Sequence, residues 1–135
     1  MERAPDLRLR TLAIYDLLVG IPGLADFVLD EPGVHGIGSD PDEWWEGHSR
    51  IGDVLTAQGA ALRGSEIVDC DPQAWAEGDA GWVYDRFRYR TPDGTETPFR
   101  VTATFVRRDG DWRLVLWHDS VPIPNEDAIG VRIPT

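Results

Sequence analysis

The chain has 135 residues, of which 41% are hydrophobic and six are tryptophan, so it is long enough to form one domain around a real core. Its 24 acidic and 13 basic residues give a net charge of −11, which repels phosphate backbones and anionic lipids and argues against nucleic acid as a partner. No apolar run reaches ~18 residues and no signal-peptide pattern occurs, so we expect no membrane span and a cytoplasmic location. The lone Cys70 excludes an internal disulfide and fits a reducing compartment.

The first third of the chain has the pattern of helices. Apolar residues recur at helical spacing after Pro5, a favourable first-turn residue: Leu9, Leu12, Ala13 and Leu17. This spacing predicts a helix over residues 6–19, which Gly20 ends. A second, short helix is predicted over 24–29, and a short strand weakened by glycines over 33–39.

The stretch SDPDEWWEG, residues 39–47, has a structural and a chemical interpretation. In the structural interpretation Asp40 is a helix N-cap, Pro41 takes the first helical position and Glu43 completes a capping box. In the chemical interpretation the carboxylate of Asp40 is a catalytic group beside two tryptophans. Helix capping accounts for every polar residue of the stretch, so we favour it.

A long helix is predicted after this stretch, from Asp42 to about Leu62. Its apolar stripe consists of residues at steps of four, three and four: Trp44, His48, Ile51 and Leu55. Trp44 is therefore expected to face inward, whereas Trp45 is expected to meet a neighbouring element or a partner.

The second half of the chain has the pattern of strands. Four segments with β character are predicted, at about 64–76, 80–91, 96–108 and 111–121. PDG at 92–94 and RDG at 108–110 are turn signals, so the last three strands should form consecutive antiparallel hairpins. Helices ahead of a strand meander predict an α+β fold, with the helices covering one face of a strongly curved antiparallel sheet.

One domain is predicted over residues 1–135. Its core is expected to span about 9–122. Residues 123–135, rich in Pro, Asn and acidic residues, are expected to form a loosely held tail.

Three motifs in this order resemble a SnoaL-like protein of the nuclear-transport-factor-2-like (ketosteroid-isomerase-like) superfamily. They are GSDPDEWWEG before the long helix, FRVTATFVRRDGDWRL across a hairpin, and a final strand ending in HDS. The resemblance extends from about Leu9 to Pro122. It implies a conical α+β barrel (the NTF2-like or cystatin-like cone) with a pocket between the concave sheet face and the helices, usually in a dimer. The superfamily contains isomerases, polyketide cyclases, epoxide hydrolases and oligomerisation hubs, so the fold does not define the function.

The resemblance suggests roles for particular residues. In the isomerases an Asp-Pro pair before the same helix supplies the proton-shuttling base, and Asp40-Pro41 resembles it at a register that differs by about two positions. Tyr15 resembles their oxyanion-hole tyrosine, although a core position with the hydroxyl at the rim also explains a tyrosine on this helix. Their second acid corresponds to Thr102, a departure that weakens steroid isomerisation as a function.

Two acids are predicted to share one face of the sheet, whatever the register of the hairpins. Two-residue turns would pair Asp85 with Thr102 and Asp119 with Arg100. Three-residue loops with a glycine bulge would shift each pairing by one residue and place Val101 opposite Asp85. In either register both acids lie on the face of the large apolar residues, because side chains alternate along a strand.

The resemblance makes this face the inside of the cone. The residues predicted to line the pocket are Trp44, Phe87, Val101, Ala103, Val115 and Trp117. A carboxylate there loses solvation, and its pKa rises toward the range in which it exchanges protons at neutral pH. Asp85 and Asp119 are therefore candidate catalytic acids. Alternatively, either acid lies near the mouth of the cone, solvated or paired with Arg86, Arg88 or Arg100.

The opposite face of the sheet is predicted to be a homodimer interface. It is richer in aromatic and leucine side chains than a solvated sheet face: Trp82, Tyr84, Leu114, Leu116 and His118. Such a face cannot also be covered by the helices if these fill the concave side. We therefore expect a symmetric dimer through the sheet.

No metal and no cofactor are predicted. The histidines have no ligand spacing, and the sequence contains no P-loop, dinucleotide fingerprint or nucleophile elbow. Two functions remain open. The first is binding of a small, largely apolar organic molecule in the cone pocket, with isomerase- or cyclase-type acid/base catalysis by a pocket Asp; the second is a non-catalytic dimeric binding or assembly module. We favour small-molecule binding.

Overall fold

A computed structural model describes residues 1–135, which form three helices, one 3-10 turn and eight strands. The helices are α1 (Pro5–Leu18), α2 (His48–Ala61) and α3 (Asn125–Ile129), and the 3-10 turn is Leu24–Phe27. The strands are β1 (Glu2–Arg3), β2 (His35–Ile37), β3 (Trp44–Glu46), β4 (Glu66–Val68), β5 (Gln73–Glu77), β6 (Ala80–Arg90), β7 (Glu96–Arg108) and β8 (Asp111–Ser120). No helix is both long enough and apolar enough to span a membrane.

The strands form one curved, unclosed sheet in the order β1-β5-β6-β7-β8-β2-β3, which confirms the predicted α+β class. Neighbouring strands are antiparallel, except that β2 runs parallel to β8. The segment predicted as one strand over 64–76 is divided into β4 and β5, and both pair with β6. Strand β4 pairs with β6 from Arg88 onward, and β5 pairs with β6 up to Tyr84. Between these two pairings, around Asp85, this edge of β6 has no partner strand.

The stretch 39–47 does not begin a helix, contrary to the prediction. Helix α2 starts only at His48, and β3 precedes it. The backbone N–H of Asp42 donates to Asp40 Oδ1 over 3.0 Å, and the backbone N–H of Asp40 donates to Glu43 Oε1 over 2.9 Å. These are the reciprocal bonds of a capping box, used here to close a turn. The same two hydrogen bonds can begin a helix or close a turn, so the sequence pattern could not distinguish between these structures.

The two adjacent tryptophans have the opposite orientations to those predicted. In strand β3 side chains alternate, and Trp45 is 6% exposed whereas Trp44 is 63% exposed. Trp45 packs over Gly36, where an added Cβ would lie 2.8 Å from the indole ring. Trp44 lies on the outer face, with its ring edge-on to that of His35 at 4.7 Å between centroids. Trp44 is therefore not a residue of the inner pocket.

Helix α1 presents a different stripe to the core from the one predicted. Its buried residues are Leu7, Thr11, Ile14 and Tyr15, whereas Leu9 is 66% exposed. The core accordingly reaches back to Ala4 and Leu7, ahead of the predicted boundary at residue 9. At the other end of the chain every side chain from Val121 onward is exposed.

The β6–β7 hairpin has the register with a glycine bulge, in which Asp85 lies opposite Val101. Gly94 takes the positive φ of 87° that this loop requires. The β7–β8 hairpin instead begins with a two-residue turn, in which Asp109 and Gly110 have φ of 51° and 83°. Two successive positive φ values are typical of a type I′ turn.

A bulge at Val115 changes the register within β8. Phe105 pairs with Leu114, but Thr104 pairs with Leu116, so Val115 is the extra residue. Beyond the bulge Asp119 lies opposite Val101, rather than opposite Arg100 or Phe99 as the two uniform registers would have it. The bulge also places Leu114 on the inner face, 3% exposed, so its assignment to the outer interface was wrong.

Candidate functional site

The centre of the cone is packed with side chains. The Tyr15 and Phe87 rings lie 5.2 Å apart, and the Tyr15 and Trp117 rings 6.4 Å apart. Four residues predicted to line the pocket are buried here: Phe87, Val101, Ala103 and Trp117. Val115 packs against the same core from a partly buried position. These residues belong to the core. Val101 also borders an open cavity of about 550 Å³, which is lined by Asp85 and Arg100 as well.

A cavity of about 420 Å³ opens between the last turns of α2 and the ends of β6, β7 and β8. We call it the mouth cavity. Its lining residues are Ser39, Glu43, Gln58, Ala61, Leu62, Tyr89, Thr91, Thr97, Phe99 and Asp119. Its size is within the range of small-molecule sites, and it combines apolar walls with a few polar groups, as such sites do.

Asp119 is the predicted site residue that faces this cavity. The indole N–H of Trp117 donates to Asp119 Oδ2 over 2.7 Å, and no other protein hydrogen bond reaches the carboxylate. Burial raises the pKa of Asp119, the bond from Trp117 opposes this rise, and the charge of Glu43 adds to it. A carboxylate with one free oxygen, a raised pKa and access to an apolar cavity has the properties of a general base.

Asp85 has a different environment, in which both carboxylate oxygens are occupied. Oδ1 accepts from the backbone N–H groups of Asp71 (3.2 Å) and Arg86 (2.7 Å), and Oδ2 accepts from the hydroxyl of Tyr15 (2.9 Å). Burial raises the pKa of Asp85, against the effect of these three bonds. The carboxylate lies where β4 and β5 separate and binds the backbone of the intervening segment. Its contacts are those of a structural residue.

Tyr15 is 3% exposed, and its hydroxyl is committed to Asp85. Burial, followed by the charge of Asp85, raises the pKa of Tyr15 above its ordinary value. Tyr15 does not line the mouth cavity, so the structure does not bring it together with Asp119 around a ligand space. Asp40 is exposed and lies outside the cavity, although its neighbour Ser39 lines it.

The sequence analysis did not assign to the site Tyr89 and Glu43, the two ionisable residues that line the mouth cavity besides Asp119. Tyr89 shares the inner face with Asp85 and Phe87, so side-chain alternation along β6 would have identified it. Its ring lies edge-on to Phe99 at 4.9 Å, and burial, together with the charge of Asp119, raises the pKa of its hydroxyl. Glu43 could not be found in this way, because its position depends on the turn that replaces the predicted helix.

Glu43 is fixed at the cavity wall by both of its oxygens. Oε1 accepts from the backbone of Asp40, and Oε2 accepts from the Gln58 side chain of α2 over 2.7 Å. Gly38 provides the space for this side chain, since a Cβ there would lie 2.6 Å from Oε2. No group of three or more His, Cys, Asp or Glu is arranged to hold a metal ion.

The sequence profile of the SnoaL-like domain matches residues 22–124, most of the chain, and the protein therefore belongs to the SnoaL-like domain family. This confirms the resemblance inferred from its motifs. No curated protein sequence matches the chain.

Solved structures share the NTF2-like fold. An NTF2-like protein of unknown function from Pseudomonas putida KT2440 has a TM-score of 0.72 at 15% identity, over 99% of each chain. A candidate dehydratase of the NTF2-like family from Streptomyces avermitilis has a TM-score of 0.75 at 15% identity, over 88% of this chain and 95% of that one. The yeast UBP3-associated protein BRE5 has a TM-score of 0.73 at 13% identity, over 87% of this chain and 94% of that one. At these identities the likeness shows the fold alone.

Proposed function

We propose that the protein binds a small, largely apolar organic molecule in the mouth cavity and that Asp119 exchanges a proton with it. The observation that carries this proposal is the free oxygen of Asp119 at the wall of a cavity of about 420 Å³. Leu62 and Phe99 supply apolar surface for the body of the ligand.

The chemistry that suits this arrangement is acid/base catalysis of the isomerase or cyclase type. A base with a raised pKa can remove a proton from carbon and return it elsewhere on the same molecule. Tyr89 lines the same cavity and can donate a hydrogen bond to a developing oxyanion. One protein of similar fold is described as a candidate dehydratase, and elimination of water from an organic molecule also removes a proton from it.

Occlusion of the mouth cavity tests the binding function. Leu62→Trp, directly after α2, should fill the cavity, and Leu9→Trp adds the same side chain at an exposed position of α1. Apolar probe molecules are then screened by the rise in melting temperature that they cause. We expect binding to wild type and Leu9→Trp and its loss in Leu62→Trp. Equal binding by both variants would contradict the proposal.

A second candidate function, dimeric assembly, is supported by the outer face of the sheet. Trp44 and Tyr84 are 63% and 47% exposed there, and Trp82, Leu116 and His118 lie on the same side. Exposed aromatic residues at this density favour an interface. BRE5, a protein of similar fold, is described as associated with another protein. The two functions are compatible, because the mouth cavity opens on the other side of the sheet.

The assembly proposal predicts a homodimer in light scattering at micromolar concentration. Tyr84→Arg places a charge in the proposed interface and should yield a folded monomer, whereas Arg50→Glu on α2 should leave the dimer intact. A monomeric wild-type protein would refute the interface.

A further inference from the structure

We propose that the mouth cavity selects an organic cation, a protonated amine on an apolar body, in preference to a neutral or anionic molecule of the same shape. This inference rests on the proposed binding function and names the ligand class. It follows from the charges and rings that surround the cavity.

The cavity wall carries two carboxylates and no basic side chain. Glu43 and Asp119 both line it, while none of the 13 basic residues and none of the histidines does. Neither carboxylate takes part in an ion pair, although acids elsewhere on the chain pair with arginines. The arginines near this end of β6 are engaged elsewhere, since Arg88 and Arg90 both pair with Glu96. The two cavity acids therefore have no ion-pair partner within the protein, and His118, the base whose charge acts on Asp119, lies on the opposite face of β8.

Hydrogen bonds hold the two carboxylates in place without neutralising them. Glu43 receives the backbone N–H of Asp40 and the amide of Gln58, and Asp119 receives the indole N–H of Trp117. All three donors are uncharged. The close fit of Glu43 against Gly38 further restricts its side chain. Fixed anions of this kind attract a cation more strongly than mobile surface acids do, because little side-chain order is lost on binding.

The aromatic part of the wall is complementary to the same ligand class. Tyr89 and Phe99 both line the cavity, with their rings perpendicular and 4.9 Å apart. The negative face of an aromatic ring attracts ammonium groups, and combined rings and carboxylates are a common means of recognising organic amines. A carboxylate or phosphate ligand would meet only repulsion from Glu43 and Asp119. A neutral ligand would leave both charges facing an apolar surface, which costs solvation energy.

Three probes with one body test the inference: cyclohexylmethylamine, cyclohexylmethanol and cyclohexanecarboxylate. Their dissociation constants are measured by calorimetry at pH 7.5, where the amine is protonated. We expect the amine to bind about tenfold more tightly than the alcohol, and the carboxylate to bind more weakly than either. Of the three probes, only the amine should bind more weakly when salt is added.

Two variants locate the source of the preference. Glu43→Gln and Asp119→Asn should each weaken amine binding more than alcohol binding and so reduce the preference for the amine, while Glu46→Gln, an exposed acid of β3, should leave the preference as it is in the wild-type protein. If the wild-type protein binds amine and alcohol equally, the cation preference is refuted and the binding function stands. If no probe binds the wild-type protein, both proposals fail. Preference that persists in both cavity variants would also overturn the inference.

Discussion

Removing the hydroxyl of Tyr15 should destabilise the fold without altering the mouth cavity. In Tyr15→Phe the ring keeps its contact with Phe87 at 5.2 Å, so the change deletes one hydrogen bond and little packing. That bond, 2.9 Å long, joins a hydroxyl that is 3% exposed to a carboxylate that is 9% exposed. Both residues are buried, and the carboxylate would lose one of its three donors.

The expected loss is about 1.5–3 kcal/mol of unfolding free energy, the usual range for a hydrogen bond to a charged group. For a chain of this length the loss corresponds to a fall in melting temperature of roughly 5–11 °C. The backbone donors from Asp71 and Arg86 remain, so the segment between β4 and β5 should stay attached to β6.

Urea unfolding followed by circular dichroism measures this loss. Tyr84→Phe is the matched control, because it removes a hydroxyl that forms no hydrogen bond within the chain and keeps the ring that belongs to the proposed dimer interface. A double-mutant cycle with Asp85→Ala should give a coupling of about 0.5–3 kcal/mol, as expected of residues in contact. If Tyr15→Phe is as stable as the control but loses ligand binding, Tyr15 has a chemical role and the structural account is wrong.

Three further predictions concern other parts of the structure. The pKa of Asp119 is raised in the folded state, so ionisation of this buried carboxyl lowers the stability of the fold above that pKa and has no cost below the unfolded value near 3.8. Asp119→Asn should therefore raise the melting temperature at pH 7. The gain should disappear toward pH 3.5. A pH-independent difference would contradict the raised pKa. Gly36→Ala should lower the unfolding free energy by about 1–3 kcal/mol, because the new Cβ would lie 2.8 Å from the ring of Trp45. An unchanged midpoint in chemical denaturation would show that the indole moves freely. Asp40→Ala removes the acceptor for the Asp42 N–H and should lower stability by about 1 kcal/mol, while Asp40→Ser should preserve the stability of the wild-type protein. If the serine variant loses ligand binding at an unchanged melting temperature, Asp40 has a chemical role.

The helix-then-meander order, the long strands β6 to β8 and their turn residues could be predicted from the sequence. These features are local: the period of the side chains and the φ preferences of Gly94 and Gly110 are properties of a few consecutive residues. Side-chain alternation in β6 was sufficient to place Asp85 on the inner face, because it does not depend on the exact pairing.

The tertiary structure decided everything that depends on competition between distant segments. Residues 44–46 joined the sheet because β2 offers an edge and Gly36 leaves space for the Trp45 ring, a contact between residues in different strands. The bulge at Val115 lets both Leu114 and Trp117 reach the core, which neither uniform register allows. Local patterns carry no information on such packing, since its free energy depends on the shapes of both partners. For the same reason the sequence identified Asp119 as an inner acid, but only the fold brought Glu43 and Tyr89 to the same cavity.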